Sequence, residues 1–275
     1  MGISERLLGL AEKLADRISD SLYLRIRFRR RFGWWPRVRR PQTFNEHLLR
    51  YKLTSRADPR LPILADKLAA KAAVKAQIGE DYIIPTLWHG AKLPPVEARN
   101  WPKPYILKAA HRSGANIIVH EHDEEDWDAI ERTSADWLGS TFGRHGREWH
   151  YGRIAPMLLV EPYIGEPDAA PDDIKIQCFH GRARVVNVLQ DRFRDVKSYS
   201  FDLDWNLLPY AFVNGGGAVT PPRPDNLREM IHVAETLARD FEYVSVDLYN
   251  VQGRIYFGEL TFTTANGMEI GRAHV

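Results

Sequence analysis

Between residues 244 and 261, two runs of β-branched and aromatic side chains flank Asn250-Val251-Gln252-Gly253, a pattern that leaves the chain little choice but an apolar β-hairpin closed by a glycine-containing turn. Each arm carries one carboxylate, Asp247 on the first and Glu259 on the second. Cross-strand neighbours on one face lie roughly 5 to 8 Å apart, so the two can share a hard divalent cation such as Mg²⁺. Without a cation or a basic partner they would repel each other in a poorly solvated place. The plainer alternative is that one carboxylate is solvated and the other pairs with an arginine.

The 275-residue chain is long enough for one elaborate domain or two small ones sharing an interface. Its apolar residues come in short segments, none near the length of a bilayer span. Ile3, Leu7, Leu10, Leu14 and Ile18 recur at helical spacing among Glu5, Glu12, Lys13 and Asp16, which describes an amphipathic helix and not a signal peptide, so a cytosolic address is expected. The lone Cys178 sits in an apolar run and is expected to be a buried, inert thiol.

Formal charge is only +2, yet Arg25, Arg27, Arg29, Arg30, Arg31, Arg37, Arg39 and Arg40 crowd around Phe28, Phe32, Trp34 and Trp35. A solvated arginine face packed on the domain, a peripheral dock for an anionic membrane and a polyanion groove all fit. Nucleic acid is not expected, because the rest of the chain balances its charges and carries no nucleic-acid signature.

Thr43-Phe44-Asn45-Glu46 offers a helix start with Thr43 as the N-cap. A further helix is expected to open at Pro62 and stop at Gly79, with Asp66, Lys67, Lys71 and Lys75 along its polar side, before a short strand at 82–84. The proline-rich stretch 92–104 marks a junction. Beyond it come strands at 105–109 and 116–120, a helix over 123–139, strands at 156–164, 174–179 and 183–189, a glycine run at 215–217 and a helix over 227–237. The expected divisions are an N-terminal amphipathic helix and arginine-rich segment 1–42, a helical/α+β subdomain 43–103, a strand-rich region 104–268 that carries the candidate site residues, and a tail 269–275.

Lys108 ends a strand just before His111-Arg112-Ser113-Gly114, a loop in which Gly114 permits close backbone approach and Ser113 supplies a hydroxyl for phosphates. From this feature alone an ordinary hairpin with an exposed lysine is the plainer reading. Lys175 is a second in-strand lysine flanked by apolar residues, expected to face a site or an acid. Between them Leu158 to Ile164 form an apolar strand ending in Glu161, Pro162 and Tyr163, suited to walling an adenine ring while Glu161 accepts from amino or hydroxyl groups.

The order lysine strand, glycine flap, Glu-bearing strand, second lysine, Asp strand, Glu strand resembles the ATP-grasp superfamily. Within it the chain is similar to the TupA-like ATP-grasp family of bacterial surface-polymer clusters, through Arg40-Pro41-Gln42-Thr43-Phe44-Asn45-Glu46, Gly146-Arg147-Glu148-Trp149-His150-Tyr151, Asp202-Leu203-Asp204-Trp205-Asn206 and residues 246–262. The resemblance implies an α+β fold holding a nucleotide between two α+β subdomains, with the basic N-terminal helical segment in front. It implies ATP contacts from Lys108, Ser113, Gly114, Glu161 and Lys175, with His111 and Tyr163 beside them, and Mg²⁺ ligation by Asp247 and Glu259. The reaction implied is carboxylate–amine ligation through an acyl phosphate on a surface polysaccharide or glycan–peptide polymer. Its partners would be an anionic glycan or other carboxylate and an amine co-substrate. Arg192 is the candidate for holding the acyl phosphate or substrate carboxylate, a surface arginine paired with Asp191 or Asp195 being the alternative.

One departure stands out: Thr261 occupies the place where many ATP-grasp enzymes have an asparagine ligand for a second Mg²⁺, and a hydroxyl is a poorer ligand. Two other functions are open. Asp202-Leu203-Asp204 is a DxD element of the kind that holds a cation against a nucleotide sugar in glycosyltransferases, or else a plain turn. A non-catalytic anionic-polymer binder would use the arginine segment alone. The histidines show no metal-ligand spacing. Finally, Glu269 to Val275 breaks the strand pattern, and one set of codons that encodes it spells a common sequencing-adapter read-through, so this tail is expected to be foreign with no counterpart in the family.

Overall fold

The computed structural model describes residues 3–166, 170–191, 195–210 and 219–268. Arg192, the glycine run 215–217 and the tail 269–275 lie outside the described residues.

Two helices come first, α1 (Ile3–Ile18) and α2 (Asp20–Phe32). The arginine segment is therefore largely helical. Ser19 caps α2 by accepting from the Leu22 amide, and Tyr23, Leu24, Ile26 and Phe28 bury its apolar side. Several of its arginines are used internally: Arg31 Nε donates to the Met268 carbonyl at 2.9 Å, Arg27 to Tyr23 Oη at 3.2 Å, and Arg30 pairs with Glu12. Helix α3 (Phe44–Thr54) opens with the expected capping box, Thr43 accepting from the Glu46 amide and Glu46 accepting back from Thr43.

The expected helix from Pro62 to Gly79 is two helices, α4 (Arg60–Ala65) and α5 (Lys67–Ile78). Asp66 breaks them apart by adopting an extended conformation and capping the Leu68 and Ala69 amides. Residues 82–84 form no strand, although the Tyr82 carbonyl accepts from the Phe257 amide at 2.7 Å.

Two antiparallel sheets follow. The first has the order β1-β4-β2-β3, from β1 (Trp88–Gly90), β2 (Tyr105–Ala109), β3 (Asn116–Val119) and β4 (Leu158–Pro162). Because β1 pairs with β4, this sheet runs across the proline-rich junction. Tyr105, Leu107, Ala109, Leu158 and Val160 alternate onto one face, where α6 (Trp127–Gly139) and the tryptophans 88, 101 and 127 pack; Ile106, Lys108 and Glu161 take the other.

The second sheet has the order β7-β6-β5-β8-β9, from β5 (Asp173–Phe179), β6 (Arg182–Gln190), β7 (Lys197–Phe201), β8 (Tyr243–Val251) and β9 (Arg254–Thr261). Ile174, Ile176, Val186, Val188, Val244 and Val246 bury one face against Met230, Val233 and Leu237 of α7 (Leu227–Ala238). The opposite face is buried too, but it is polar.

Candidate nucleotide and metal site

That polar face is laid out in rows. Antiparallel register puts Asn187, Lys175, Asp247 and Glu259 side by side across β6, β5, β8 and β9, and the hairpin places Asp247 directly opposite Glu259. Lys175 Nζ pairs with Asp247 and lies 3.1 Å from Asp173, while Ser245 Oγ donates to Asp247 at 2.7 Å. The arrangement depends on Gly258. In an unbroken strand Phe257 and Glu259, two residues apart, would share a face. Gly258 is the extra residue of a bulge, so Phe257 joins Leu248 in the core while Glu259 faces Asp247. A Cβ at Gly258 would lie 3.0 Å from the Asp247 carbonyl.

Glu259 also lines a cleft between the two sheets. Lys108, Ser113, Gly114, Glu161 and Tyr163 form its first-sheet wall, Tyr249, Phe257 and Glu259 the opposite wall, and Lys67 and Lys71 of α5 complete it. Glu161, 3% exposed, is clasped by two ammonium groups: Lys108 Nζ donates to it at 2.6 Å and Lys71 pairs with its other oxygen. Lys71 Nζ also donates to the Ile84 carbonyl at 2.7 Å and Thr86 Oγ1 at 2.8 Å. Lys67 donates to the Arg112 carbonyl at the base of the glycine loop at 2.6 Å and stands 3.9 Å from Glu259. Gly114, at φ +73°, occupies the left-handed region with open space where a side chain would go.

Burial pulls Lys67 and Lys71 below the ordinary lysine pKa, against the attraction of Glu259 for the first and Glu161 for the second. For Lys108 burial acts the same way, but Glu161, Tyr249 and Glu259 outweigh it and hold the pKa above the ordinary value. Burial would raise the Glu161 carboxyl; Lys108 and Lys71 hold it below the usual range. Asp247 goes the other way: burial raises it, Lys175 opposes, and Asp173 and Glu259 raise it again. The Asp247 row thus carries an excess of buried negative charge.

Among the described residues no group of three His, Cys, Asp or Glu side chains converges as a metal centre. The two facing carboxylates still fit Mg²⁺, which commonly takes one or two protein carboxylates and completes its shell with phosphate oxygens and water. The excess charge around Asp247 is what such a cation would relieve, with Asp247 and Glu259 as its holders. Thr261 Oγ1 stands 3.5 Å from Glu259 Oε1.

Some expected groups lie elsewhere. His111 is not on the cleft wall; its Nε2 sits 3.0 Å from the Trp137 carbonyl on the α6 side. Asp202 is consumed by a turn, accepting from the Asp204 and Asn206 amides at 3.0 and 2.8 Å and from Asn206 Nδ2 at 2.8 Å, while Trp205 stacks on Phe201. Cys178 is buried and its thiol is pushed up to about 12 by burial. Lys67 and Lys71 were not expected in the site. Their signal was present: Asp66 before an alanine-rich helix is an N-cap, and lysines at i and i+4 share a face.

Two sheets enclosing a lysine-lined cleft, with paired carboxylates on a hairpin at its edge, define an α+β protein of the ATP-grasp class. The profile of the TupA-like ATP-grasp family matches residues 46–273, and the chain belongs to that family. The match includes residues 269–273 of the segment expected to be foreign. No curated protein matches the chain. Among solved structures it is similar to D-alanine–D-alanine ligase from Bacillus anthracis, at 15% identity and TM-score 0.43 over 73% of this chain and 57% of that one. It is also similar to the ATP-grasp ligase PsnB with its minimal precursor, at 15% identity and TM-score 0.44 over 84% and 64%. A PsnB complex with minimal precursor, Mg and ADP aligns at 14% identity and TM-score 0.41 over 93% and 66%. The chain spans about three-fifths of the length of the first two ligases. Among the described residues no helix is long and apolar enough to cross a membrane.

Proposed function

We propose that the protein is an ATP-dependent carboxylate–amine ligase acting through an acyl phosphate. The observation that carries this reading is the convergence of Lys67, Lys71 and Lys108 on one cleft with Glu259, whose cross-strand partner Asp247 is bonded to Lys175. The three cleft lysines would neutralise a triphosphate, releasing Glu161, and the glycine loop would cover it. Bound Mg²⁺ would supply charge neutralisation at the transferred phosphoryl group. Lys175, beside Asp247 and Glu259, would hold the charge that develops on the acceptor carboxylate, and Arg192 is retained as a second candidate for that task.

The carboxylate partner we assign is an anionic surface polysaccharide or glycan–peptide polymer. A groove of about 330 Å³ supports it, lined by Lys52, Arg56, Arg144, Arg147 and Trp149 together with Asp20 and Glu148; Asp20 already pairs with Arg56 and Arg147, which leaves the cations in excess by two. Arg153 stacks over the Trp149 ring at 4.6 Å. Release of ADP and phosphate should require both an amine and a uronic-acid glycan. Lys108→Ala and Glu259→Ala should each lose MgATP binding; retention by both variants would end the ligase reading.

We also assign the N-terminal helix a resting place on an anionic membrane surface. α1 turns Ala15 to α2 and leaves Leu7, Leu10, Leu14 and Ile18 each 61–67% exposed. Exposed Arg6, Lys13 and Arg17 flank this stripe, whereas Glu12 and Asp16 are turned away to Arg30 and Arg147. That segregation of charge is what an interfacial helix needs. The contact is thus moved from the arginine-rich segment to α1.

A further inference from the structure

A second pocket, of about 480 Å³, opens on the same polar sheet face as the Lys175–Asp247 pair, at the opposite end from the nucleotide cleft. Its floor is Gln177, Asn187 and Tyr243, and Phe44, Phe179 and Tyr210 wall it. Gln177 follows Lys175 by two residues on β5, about 7 Å along an extended strand. Asn187 is the direct cross-strand partner of Lys175. The row holding Lys175, Asp247 and Glu259 therefore lies between the two cavities, and a molecule seated in the second has one end toward that row.

The lining describes the molecule. Phe44, Phe179 and Tyr243 pack their rings edge to face and tilted, with centroids 5.2–5.6 Å apart, into an aromatic wall. The polar floor is spent on itself: Gln177 Nε2 donates to Asn187 Oδ1 at 2.9 Å, Tyr243 Oη donates to Gln177 Oε1 at 2.6 Å, and Asn187 Nδ2 donates to Ser200 Oγ at 2.8 Å. The pocket thus offers mostly carbon, which suits an apolar or aromatic body and not a ring of hydroxyls. Its charge is equally selective. Among the described residues no lysine or arginine lines it, and Glu242 stands exposed among its lining residues with His47 and His180. A carboxylate finds no counter-charge here among the described residues, whereas Glu242, at the outer end just before Tyr243, draws an amine in without holding its nitrogen away from the row.

We infer that this pocket seats the amine co-substrate, and that this co-substrate carries its nitrogen on an apolar or aromatic body. The inference rests on the ligase reading for the amine's role, though not for its binding. Once deprotonated, the amine attacks the carbonyl carbon of the acyl phosphate; a C–N bond forms and the C–O bond to the phosphate breaks. Phosphate leaves with the electron pair, and the nitrogen's remaining extra proton passes to solvent. The acid is assigned to the groove beside Arg144 and the amine to this one, so the two substrates enter by separate routes before they meet.

Calorimetric titration of the full chain with phenethylamine, 3-phenylpropanoate and glucuronate, alongside a separate titration with MgATP, tests this. Phenethylamine should bind at least tenfold more tightly than either acid. Val185→Trp, which places an indole in the pocket, should abolish amine binding and leave MgATP affinity within about twofold of wild type. Glu242→Gln, at an exposed position that folding does not depend on, should weaken the amine about threefold. Equal or tighter binding of either acid, no amine binding while MgATP binds, or an unchanged amine affinity in both variants would overturn the inference and leave the ligase reading intact. Amine binding without any MgATP binding would do the reverse: it would remove the ligase reading and the co-substrate role and keep the amine site.

Discussion

Glu161 is the counter-ion that holds the nucleotide cleft together, and replacing it with glutamine tests whether the clasped lysines are meant for phosphate. The carboxylate is 3% exposed and meets two ammonium groups, Lys108 at 2.6 Å and Lys71 on its other oxygen. Removing one partner of a buried ion pair costs about 3–5 kcal/mol. Here the lower end applies, because Lys71 keeps the Ile84 carbonyl and Thr86 Oγ1 as acceptors. An unfolding entropy of about 2.1 cal/mol/K per residue, taken over 275 residues, gives about 0.6 kcal/mol/K. Glu161→Gln should therefore lower the melting temperature by about 5 °C at pH 7. The sign with pH is fixed by the lowered Glu161 pKa: its stabilisation is fully present above the unfolded carboxylate value near 4.3 and is lost as pH falls through the folded one. The gap between wild type and variant should begin to narrow as pH falls below about 4.3 and close only below the lowered folded value. The decisive arm adds Mg-tripolyphosphate, which has neither base nor ribose. In wild type it must displace Glu161 from the lysines, and in the variant it need not. Scanning calorimetry should show a larger rise in melting temperature for the variant. A variant within about 1 °C of wild type, or a larger polyphosphate shift in wild type, would refute the placing of these lysines on the phosphates.

Lys71→Met should raise the KM for ATP about tenfold with a smaller change in kcat, measured as ADP release, since the lysine acts on the bound polyphosphate; an unchanged KM would remove Lys71 from the site. Gly258→Val should abolish Mg²⁺-dependent nucleotide binding while far-UV circular dichroism is retained, because its Cβ would press to 3.0 Å of the Asp247 carbonyl; normal Mg²⁺ dependence would contradict the role given to the bulge. Burial lowers Lys52 to about 8, so between that pH and the unfolded value near 10.4 the unfolded chain holds the extra proton and stability rises with pH. Relative to Lys52→Met, wild type should gain about 3 kcal/mol across that window in urea titrations, and a flat difference would show that Lys52 is not buried as a cation. Leu10→Glu with Leu14→Glu should abolish co-sedimentation with phosphatidylserine vesicles; equal sedimentation of wild type with neutral phosphatidylcholine vesicles, or a shift of wild type to dimers that the variant loses, would replace the membrane by another occupant of the stripe.

The parts of the site that the sequence revealed are those whose signal is a strand period. Asp247 stands out because β8 alternates cleanly before a glycine turn, Glu259 because it is the one carboxylate on the returning arm, and Lys108 and Lys175 because each interrupts an apolar run. What was hidden depends on breaks in periodicity. Lys67 and Lys71 looked like the solvent side of one long helix, since nothing in the hydrophobic spacing of 62–78 signals that Asp66 leaves helical geometry and restarts the chain in α5. Asp66 as an N-cap was the one local sign of the break, and what it achieves is tertiary: the Lys67 amide donates to the Ala110 carbonyl at 3.2 Å, docking α5 onto the glycine loop. The helical character of the basic N-terminal segment came from the family resemblance and not from its own periodicity. Tyr23, Leu24, Ile26 and Phe28 make a usable apolar face, but arginines on both sides swamp its amphipathic signal, and the partners that neutralise them, the Met268 carbonyl and Glu12, come from distant parts of the chain. His111 shows the limit from the other direction. Adjacency to the loop in sequence suggested a phosphate contact, yet its side chain turns to Trp137, because a residue flanking a tight turn can face either layer and packing makes the choice.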